Sequence, residues 1–362
     1  MALDASIPGR RDLVNSMPKQ GLEPRVIGSS RVLTDIDIHQ DSLWSTATDF
    51  VDRVETSSWG PLGRWLDRKS GGTSAVCRAL KLLIHQSEYD AVVTTDLRSA
   101  QIYGFLRTLL RIRGPVHVQL ELMLDRDKET FLWRLKRRFQ RLAFASTDLL
   151  VTSTLGEIDI YSRSLEIPRE RFRFVSFHTN VVNPGPAGEE RGYAFSAGRS
   201  GRDYQVLARA AHSLDMDLVV LGDVSSLEGV MFPGRSKVLV DQPYQRYLEL
   251  LHGCDFVIVP LSEVTRSRGQ VVILEAMAIG KPVIATETIG TVDYVQSGDN
   301  GLLVPPGDAE ALAAAMQRLH DDPELRAHLR ERGLDFARRH TFRDYVQNVL
   351  GHVEHAIAHG SQ

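Results

Sequence analysis

The chain has 362 residues, 43% of them apolar and 25% charged, with a formal net charge of −3. That length exceeds what one hydrophobic core usually organises, so two domains are expected, and the weak charge balance gives no case for a nucleic-acid partner. No apolar stretch reaches the roughly 18 residues that span a bilayer.

The N-terminus "MALDASIPGRRDLVNSMPKQGLEPR" lacks the apolar core of a signal peptide. Only Cys77 and Cys254 occur, far apart. Neither a disulfide framework nor a zinc site is therefore expected, and a reducing cytoplasm fits. Residues 1–185 hold 26 Lys and Arg against 22 Asp and Glu, and residues 186–362 hold 17 against 24. Two halves with different surfaces follow from that asymmetry.

Residues 1–22 read as a polar lead-in, and "PRVIGS" as a first strand. "SGGTSAVCRALKLLIHQ" has helical spacing. "YDAVVTTD" reads as a buried parallel strand, "RSAQIYGFLRTLLRIRG" as a helix ending at Gly114, and "PVHVQLELML" as another strand. "ETFLWRLKRRFQRLAFAS" predicts a helix with one apolar face and one basic stripe. "TDLLVTST", "LGEIDIYSRSLEI" and "RFRFVSF" continue as strand, helix and strand. The segment "HTNVVNPGPAGEERG", rich in Pro, Gly and charge, reads as an interdomain linker.

A second alternating series follows. "YAFSAGR", "MDLVVLGD", "SKVLVDQ", "DFVIVPL" and "KPVIATE" read as strands. Between them lie helices at "RDYQVLARAAHSL", "YQRYLELLHGC" and "GQVVILEAMAIG", and three more close the chain from Asp308 onward. Strands alternating with helices, twice over, predict an α/β protein of two parallel doubly wound sheets. The expected division is residues 1–185, residues 186–335, and a last segment 336–362 that crosses back to the first domain.

In such sheets ligands bind beyond the carboxyl ends of the strands. "DFVIVPL" is apolar on both faces, as a central parallel strand is. The loop after it leads into a helix starting near Gly269. The free amides and dipole of that helix favour an anion such as a diphosphate, and Gly269 permits close backbone approach. Glu275, in the helix's apolar middle, reads in two ways from spacing alone. It is either a carboxylate for vicinal hydroxyls or an ordinary exposed helix residue.

The stretch "LEAMAIGKPVIAT…TIGTVDYVQSGDNGLLVPPGD" resembles the group 1 family of retaining GT-B glycosyltransferases. The resemblance is strong from Asp255 to Asp308, moderate from Tyr193 to Gly222 and weak in the first 180 residues. It implies two Rossmann-like domains facing a cleft, with a nucleoside-diphosphate sugar bound by the second domain and the acceptor by the first. It implies no cofactor beyond that co-substrate, and no tightly held metal. Relatives carry a Glu, seven residues and a second Glu. Glu275 matches the second, which holds the nucleotide ribose in relatives. The first, which contacts the transferred sugar, falls at Ser267, where this chain departs from the pattern. Glu263 lies in the same loop as an alternative carboxylate. The family's Gly-Phe-Gly reads Arg268-Gly269-Gln270, and amides at Gly269, Gln270 and Val271 are expected to meet phosphate or sugar.

In "FSAGRSGRDY", after Gly198, Arg199 matches the arginine that relatives place against the diphosphate, and Arg202 is the nearest substitute for their second basic residue. Two guanidiniums there would stabilise the charge building on the leaving group. By rough register Glu121 occupies the place where relatives carry a His beside the sugar, rather than His117. His178 and Asn180 are expected at a hinge. Three Asp-x-Asp pairs, Asp35/Asp37, Asp125/Asp127 and Asp215/Asp217, match the metal motif of the other glycosyltransferase fold, but so short a pattern arises readily by chance, and a metal site is not expected.

The Trp133–Arg141 helix interleaves apolar and basic residues. A surface helix is the plain reading, and peripheral contact with anionic lipid, suited to a lipid-linked or glycan acceptor at the inner face of the membrane, is the sharper one. No aromatic platform accompanies the charge, which disfavours RNA. Three alternatives remain from sequence: a nucleotide-sugar epimerase, a catalytically inactive sugar-nucleotide-binding subunit, and, disfavoured by the lack of an early Gly-x-Gly-x-x-Gly, a nicotinamide dehydrogenase.

Overall fold

The structure is a computed structural model that describes residues 30–36, 42–51, 75–124, 130–179, 181, 190–262 and 267–359. The first half runs β1 Val32–Thr34, α1 Ser42–Ala47, β2 Thr48–Phe50, α2 Ala75–His85, β3 Ala91–Thr94, α3 Leu97–Leu110, β4 Val116–Gln119, α4 Phe131–Phe144, β5 Leu149–Thr152, α5 Leu155–Leu165 and β6 Phe172–Phe174. The second runs β7 Tyr193–Ala197, α6 Tyr204–His212, β8 Asp217–Gly222, α7 Val224–Leu227, β9 Ser236–Val240, α8 Tyr244–Gly253, β10 Phe256–Val259, α9 Gln270–Ala278, β11 Val283–Thr286, β12 Leu302–Val304, α10 Ala309–Asp321, α11 Pro323–Ala337 and α12 Phe342–His359.

The strands form two six-stranded sheets, ordered β2-β1-β3-β4-β5-β6 and β12-β11-β10-β7-β8-β9. Every pairing is parallel. β3, β5, β10 and β11 are buried throughout, because helices cover both faces of the sheets. In the second sheet β10 returns beside β7 after the chain has wound outward to β9. That reversal leaves a crevice beyond the carboxyl ends of β7 and β10, where the two following connections cannot fill the same space.

The strand predicted at "PRVIGS" lies outside the described residues, as do the lead-in and most of the expected linker. The first described strand falls a few residues later, at Val32. The short elements α1, β2, α7 and β12 carry too few residues for periodicity to register. The helix expected to reach Gly114 stops at Arg111, which takes a left-handed conformation (φ 51°) and bonds back to Arg107 and Thr108 carbonyls.

α12 lays Tyr345, Val346, Val349, Leu350 and Val353 against Val32, Val93, Val118 and Val151 of the first sheet. The opposite face of that sheet packs Leu33 and Val92 on Ala79, Leu82 and Tyr103. Just before α12, the Thr179 amide donates to the His340 carbonyl (2.9 Å). His178 is enclosed by Phe177, Phe342 and Tyr345 rings, and burial lowers its pKa, so it is a neutral packing group at the crossover. His117 is fully buried between the hydroxyls of Thr94 and Thr147, each 3.0 Å away.

α3 and α4 approach closely at Gly104, where a Cβ would fall 2.0 Å from the Ala143 carbonyl oxygen. Helix backbones cannot spread locally without losing contacts along their length. Gly104→Ala should therefore lower the unfolding free energy by about 1–3 kcal/mol, read as a reduced urea midpoint with unchanged slope.

Candidate functional site

A cavity of about 420 Å³ opens between the two halves. Glu121, Met123, Ser153 and Phe177 line it from the carboxyl edge of the first sheet. From the second half come Ser200, Arg202 and the continuous run Ser267 to Val272.

The floor of the second half is the start of α9. Gly269 is its N-cap, at φ 91°, and no side chain caps the helix. A Cβ on Gly269 would lie 3.0 Å from Val259 Cγ1, so glycine serves both the left-handed turn and the close approach to β10. The first N–H groups of an α-helix have no intrahelical acceptor. Here they face the cavity with the positive end of the helix dipole behind them.

Two guanidiniums flank this mouth. Arg202 Nε donates to the Ala197 carbonyl (2.9 Å) and its Nη1 to the Ser200 carbonyl (3.5 Å), and the residue lines the cavity. No carboxylate pairs with Arg202 among the described residues. Burial, and the positive charge of nearby Arg268, lower its pKa against the opposing effect of two phenols. Gly198, at φ 132°, makes this placement available, since a Cβ there would lie 2.3–2.5 Å from the Arg202 guanidinium. Arg268 occupies a slot with glycines on two sides: a Cβ on Gly201 would meet its side chain at 2.5 Å, and one on Gly290 its amide at 2.7 Å. The loops carrying the two arginines are tied by the Asp203 amide to the Pro260 carbonyl (3.0 Å) and the Ser262 amide to the Gly201 carbonyl (3.1 Å).

This differs from the expected pair. Arg199 is exposed and sits 3.8 Å from Asp241 on the far side of its turn, and it does not line the cavity. The left-handed turn at Gly198 points residue 199 outward and brings residue 202 back over the strand end. The second guanidinium at the cavity is that of Arg268, expected only as one of the donor-binding residues Ser267 to Val271. Glu263 lies outside the described residues.

Glu275 is buried and does not border the cavity. Its two oxygens accept from Tyr244 (2.9 Å) and Tyr247 (2.7 Å), whose rings stack 5.6 Å apart. Burial raises its pKa, and the two phenols oppose that rise. The phenols resolve the question of a lone acid in an apolar helix. The i, i+3 spacing of Tyr244 and Tyr247 is visible in the sequence, but nothing there aims them at residue 275.

Glu121 does reach the cavity. It adopts φ 48°, an uncommon conformation for a side chain with a Cβ, and accepts from Tyr345 of α12 (3.1 Å). Burial raises its pKa. Ser267 also lines the cavity and bonds across the cleft to Ser153, with 2.8 Å between the hydroxyl oxygens.

Among the described residues no group of His, Cys, Asp and Glu side chains is arranged to hold a metal ion. Asp215 and Asp217 are bound to Arg235 at the start of β8, the sheet edge away from the cavity. Asp35 accepts from the Thr95 and Asp96 amides, and burial pushes its pKa up to about 6. Asp37, Asp125, Asp127 and Asn180 lie outside the described residues.

Residues 202–322 match the family model described as glycosyl transferases group 1. Sucrose-phosphate synthase 4 of Arabidopsis thaliana is 40% identical over 83 residues, 23% of this chain and 8% of that protein. The lipopolysaccharide core biosynthesis glycosyltransferase LpsE of Rhizobium meliloti is 45% identical over 62 residues, 17% of this chain and 18% of that one. This chain thus spans less than a fifth of either relative's length in the matched region. A crystal structure of Anabaena HepE in complex with UDP superposes with a TM-score of 0.65 at 14% identity, over 90% of this chain and 100% of that one. The shared architecture is the GT-B fold.

Removing the Glu275 carboxylate would leave both Tyr244 and Tyr247 hydroxyls without their acceptor. Each unsatisfied buried group costs about 1–3 kcal/mol. Glu275→Ala should lower the melting temperature by several degrees without ligand, measured by calorimetry.

Proposed function

On the premise of a group 1 glycosyl transferase domain carried on a GT-B fold, we propose that this chain transfers a sugar from a nucleoside-diphosphate donor to an acceptor hydroxyl. The observation that carries the reading is the uncapped start of α9 with Arg202 and Arg268 beside it, all facing one interdomain cavity. A diphosphate supplies oxygens to accept from the helix amides and charge to offset the Arg202 guanidinium.

The chemistry follows from that placement. The bond between the anomeric carbon and the diphosphate oxygen breaks, and a bond to the acceptor oxygen forms. The acceptor proton passes to a departing phosphate oxygen. Arg202, Arg268 and the helix amides stabilise the negative charge that develops on the leaving group, and they are already in place before the reaction. Glu121 faces the sugar end from the first half and orients a hydroxyl there. Retention at the anomeric carbon is the stereochemistry the family resemblance implies. Glu275 takes the ribose hydroxyls: Tyr244 is half-exposed, and a ribose hydroxyl replaces its phenol on the carboxylate. UDP bound to HepE makes uridine the first nucleoside to try.

The acceptor surface is proposed at α4. Phe131, Leu132 and Leu135 are each more than half exposed near its start. Arg134, Lys136 and Arg138 are exposed among them, and residues 131–147 contain no acid. Apolar groups that insert beside cations that attract phosphate fit an anionic membrane surface, and with it a lipid-linked acceptor.

Thermal-shift titration with UDP, GDP, ADP and dTDP should find one that stabilises the protein. Arg202→Ala should weaken it about tenfold to a hundredfold. No stabilisation by any of the four would overturn the donor site. Binding without transfer to any acceptor would make the chain a sugar-nucleotide-binding subunit instead.

The protein should sediment with vesicles of phosphatidylcholine mixed with phosphatidylglycerol but not with phosphatidylcholine alone. Added salt should weaken the association, and the double change Phe131→Ser, Leu132→Ser should abolish it. Equal recovery from both vesicle types would refute an electrostatic contribution.

A further inference from the structure

Glu157 does not line the cavity, yet it is fully buried within the contact between the two halves. It stands in the first turn of α5, where the Thr154 hydroxyl receives its amide. Its Oε1 accepts three hydrogen bonds, and two cross the cleft. The Ser267 amide donates at 2.8 Å and the Ser267 hydroxyl approaches to 3.0 Å. Tyr161 provides the third at 3.0 Å. Because the Tyr161 oxygen itself accepts from the Leu124 amide, its proton points to Glu157. Oε2 has no partner among the described residues.

These contacts set the direction of a hydroxyl chain at the cavity wall. Ser267 has a single hydroxyl proton and two neighbouring oxygens, Glu157 Oε1 and Ser153 Oγ. A carboxylate is the stronger acceptor, so Ser267 donates to Glu157. Ser153, 2.8 Å away, then donates to Ser267. Both serines line the cavity, and with their protons directed inward, toward the protein, they offer the cavity lone pairs alone. Such a pair accepts a hydrogen bond from a ligand hydroxyl and has none to donate.

Other bonds fix the two serines in place. Tyr294, from the second half, donates its hydroxyl to the Ser153 carbonyl (2.6 Å) and accepts from the Phe177 amide (2.9 Å). The Leu155 amide donates to Asp293 (2.8 Å). Burial raises the pKa of Glu157, and the bonds from Ser267 and Tyr161 oppose the rise.

We propose that Glu157 is a positioning residue that reaches across the cleft to orient the Ser153 and Ser267 hydroxyls as acceptors for a hydroxyl of the donor's sugar. This rests on the nucleoside-diphosphate-sugar reading. Glu157 does not touch the sugar; it decides which way two hydroxyls that do touch it are turned. A buried carboxylate serving only to hold the halves together would affect every ligand of the cavity alike. A positioning carboxylate affects the sugar and spares the diphosphate, which sits at α9 with Arg202 and Arg268.

The test is calorimetric titration of the wild type, Glu157→Gln and Ser153→Ala. The probes are the tightest binder among UDP, GDP, ADP and dTDP, and the glucose, galactose, mannose and N-acetylglucosamine esters of that same nucleotide. For the wild type, at least one ester should bind more tightly than the bare diphosphate. In Glu157→Gln, affinity for the bare diphosphate should stay within about twofold, while the preferred ester should lose about tenfold, the scale of one charge-assisted hydrogen bond. Ser153→Ala should show the same split, and it keeps the test open if Glu157→Gln does not fold. Equal losses for diphosphate and ester, or no loss for either, would overturn the inference and leave the donor site standing. Failure of all four diphosphates to bind the wild type would overturn the donor site, and the inference with it.

Discussion

The positive end of α9 depends on its setting more than any other feature of this protein. Its first amides have no acceptor in the helix and no side-chain cap, and the helix dipole concentrates positive potential there. Two arginines stand beside it, with the Arg202 guanidinium drawn over the end of β7. Placing like charges together in a partly enclosed space is unfavourable. The fold nevertheless gives two glycines, Gly198 and Gly201, to make room for the two side chains, and a third, Gly290, for the Arg268 backbone. An anion is the natural complement.

The other half of the site comes from elements remote in sequence. Glu121, Ser153 and Phe177 end or follow strands β4, β5 and β6, and their parallel arrangement brings those ends to one edge. α12 belongs to the same construction. It covers the first sheet with Val346, Val349 and Val353 and holds Glu121 through Tyr345. The chain's last helix is thus both part of the first core and a support for the cavity wall, which couples packing to the chemistry of the cleft.

The polar contacts across the cleft concentrate around Ser153, Glu157, Ser267, Asp293 and Tyr294. Contacts of this kind hold because little water reaches them. Glu157 is completely enclosed, and its unshared oxygen carries a desolvation cost. Polar groups in that setting favour one relative placement of the halves over nearby alternatives, since a small displacement strands several of them at once.

Alternation of strand and helix, apolar runs such as "DFVIVPL" and the glycine before α9 were legible from the sequence, because backbone preference and burial act over a few neighbouring residues. They determined two parallel sheets, the ligand edge and the anion-favouring helix start. The neighbours of single side chains were not legible. Arg199 and Arg202 differ by three positions, and only the turn at Gly198 sends one to Asp241 and the other to the cavity. The phenols of Tyr244 and Tyr247 that Glu275 accepts from lie about thirty residues upstream, beyond the reach of any local pattern. Glu157 reads as an ordinary acid in the first turn of a helix. Its partner lies 110 residues away, and no local periodicity connects positions so distant. That juxtaposition exists only once two independently formed sheets face each other, which is why tertiary structure alone decided it.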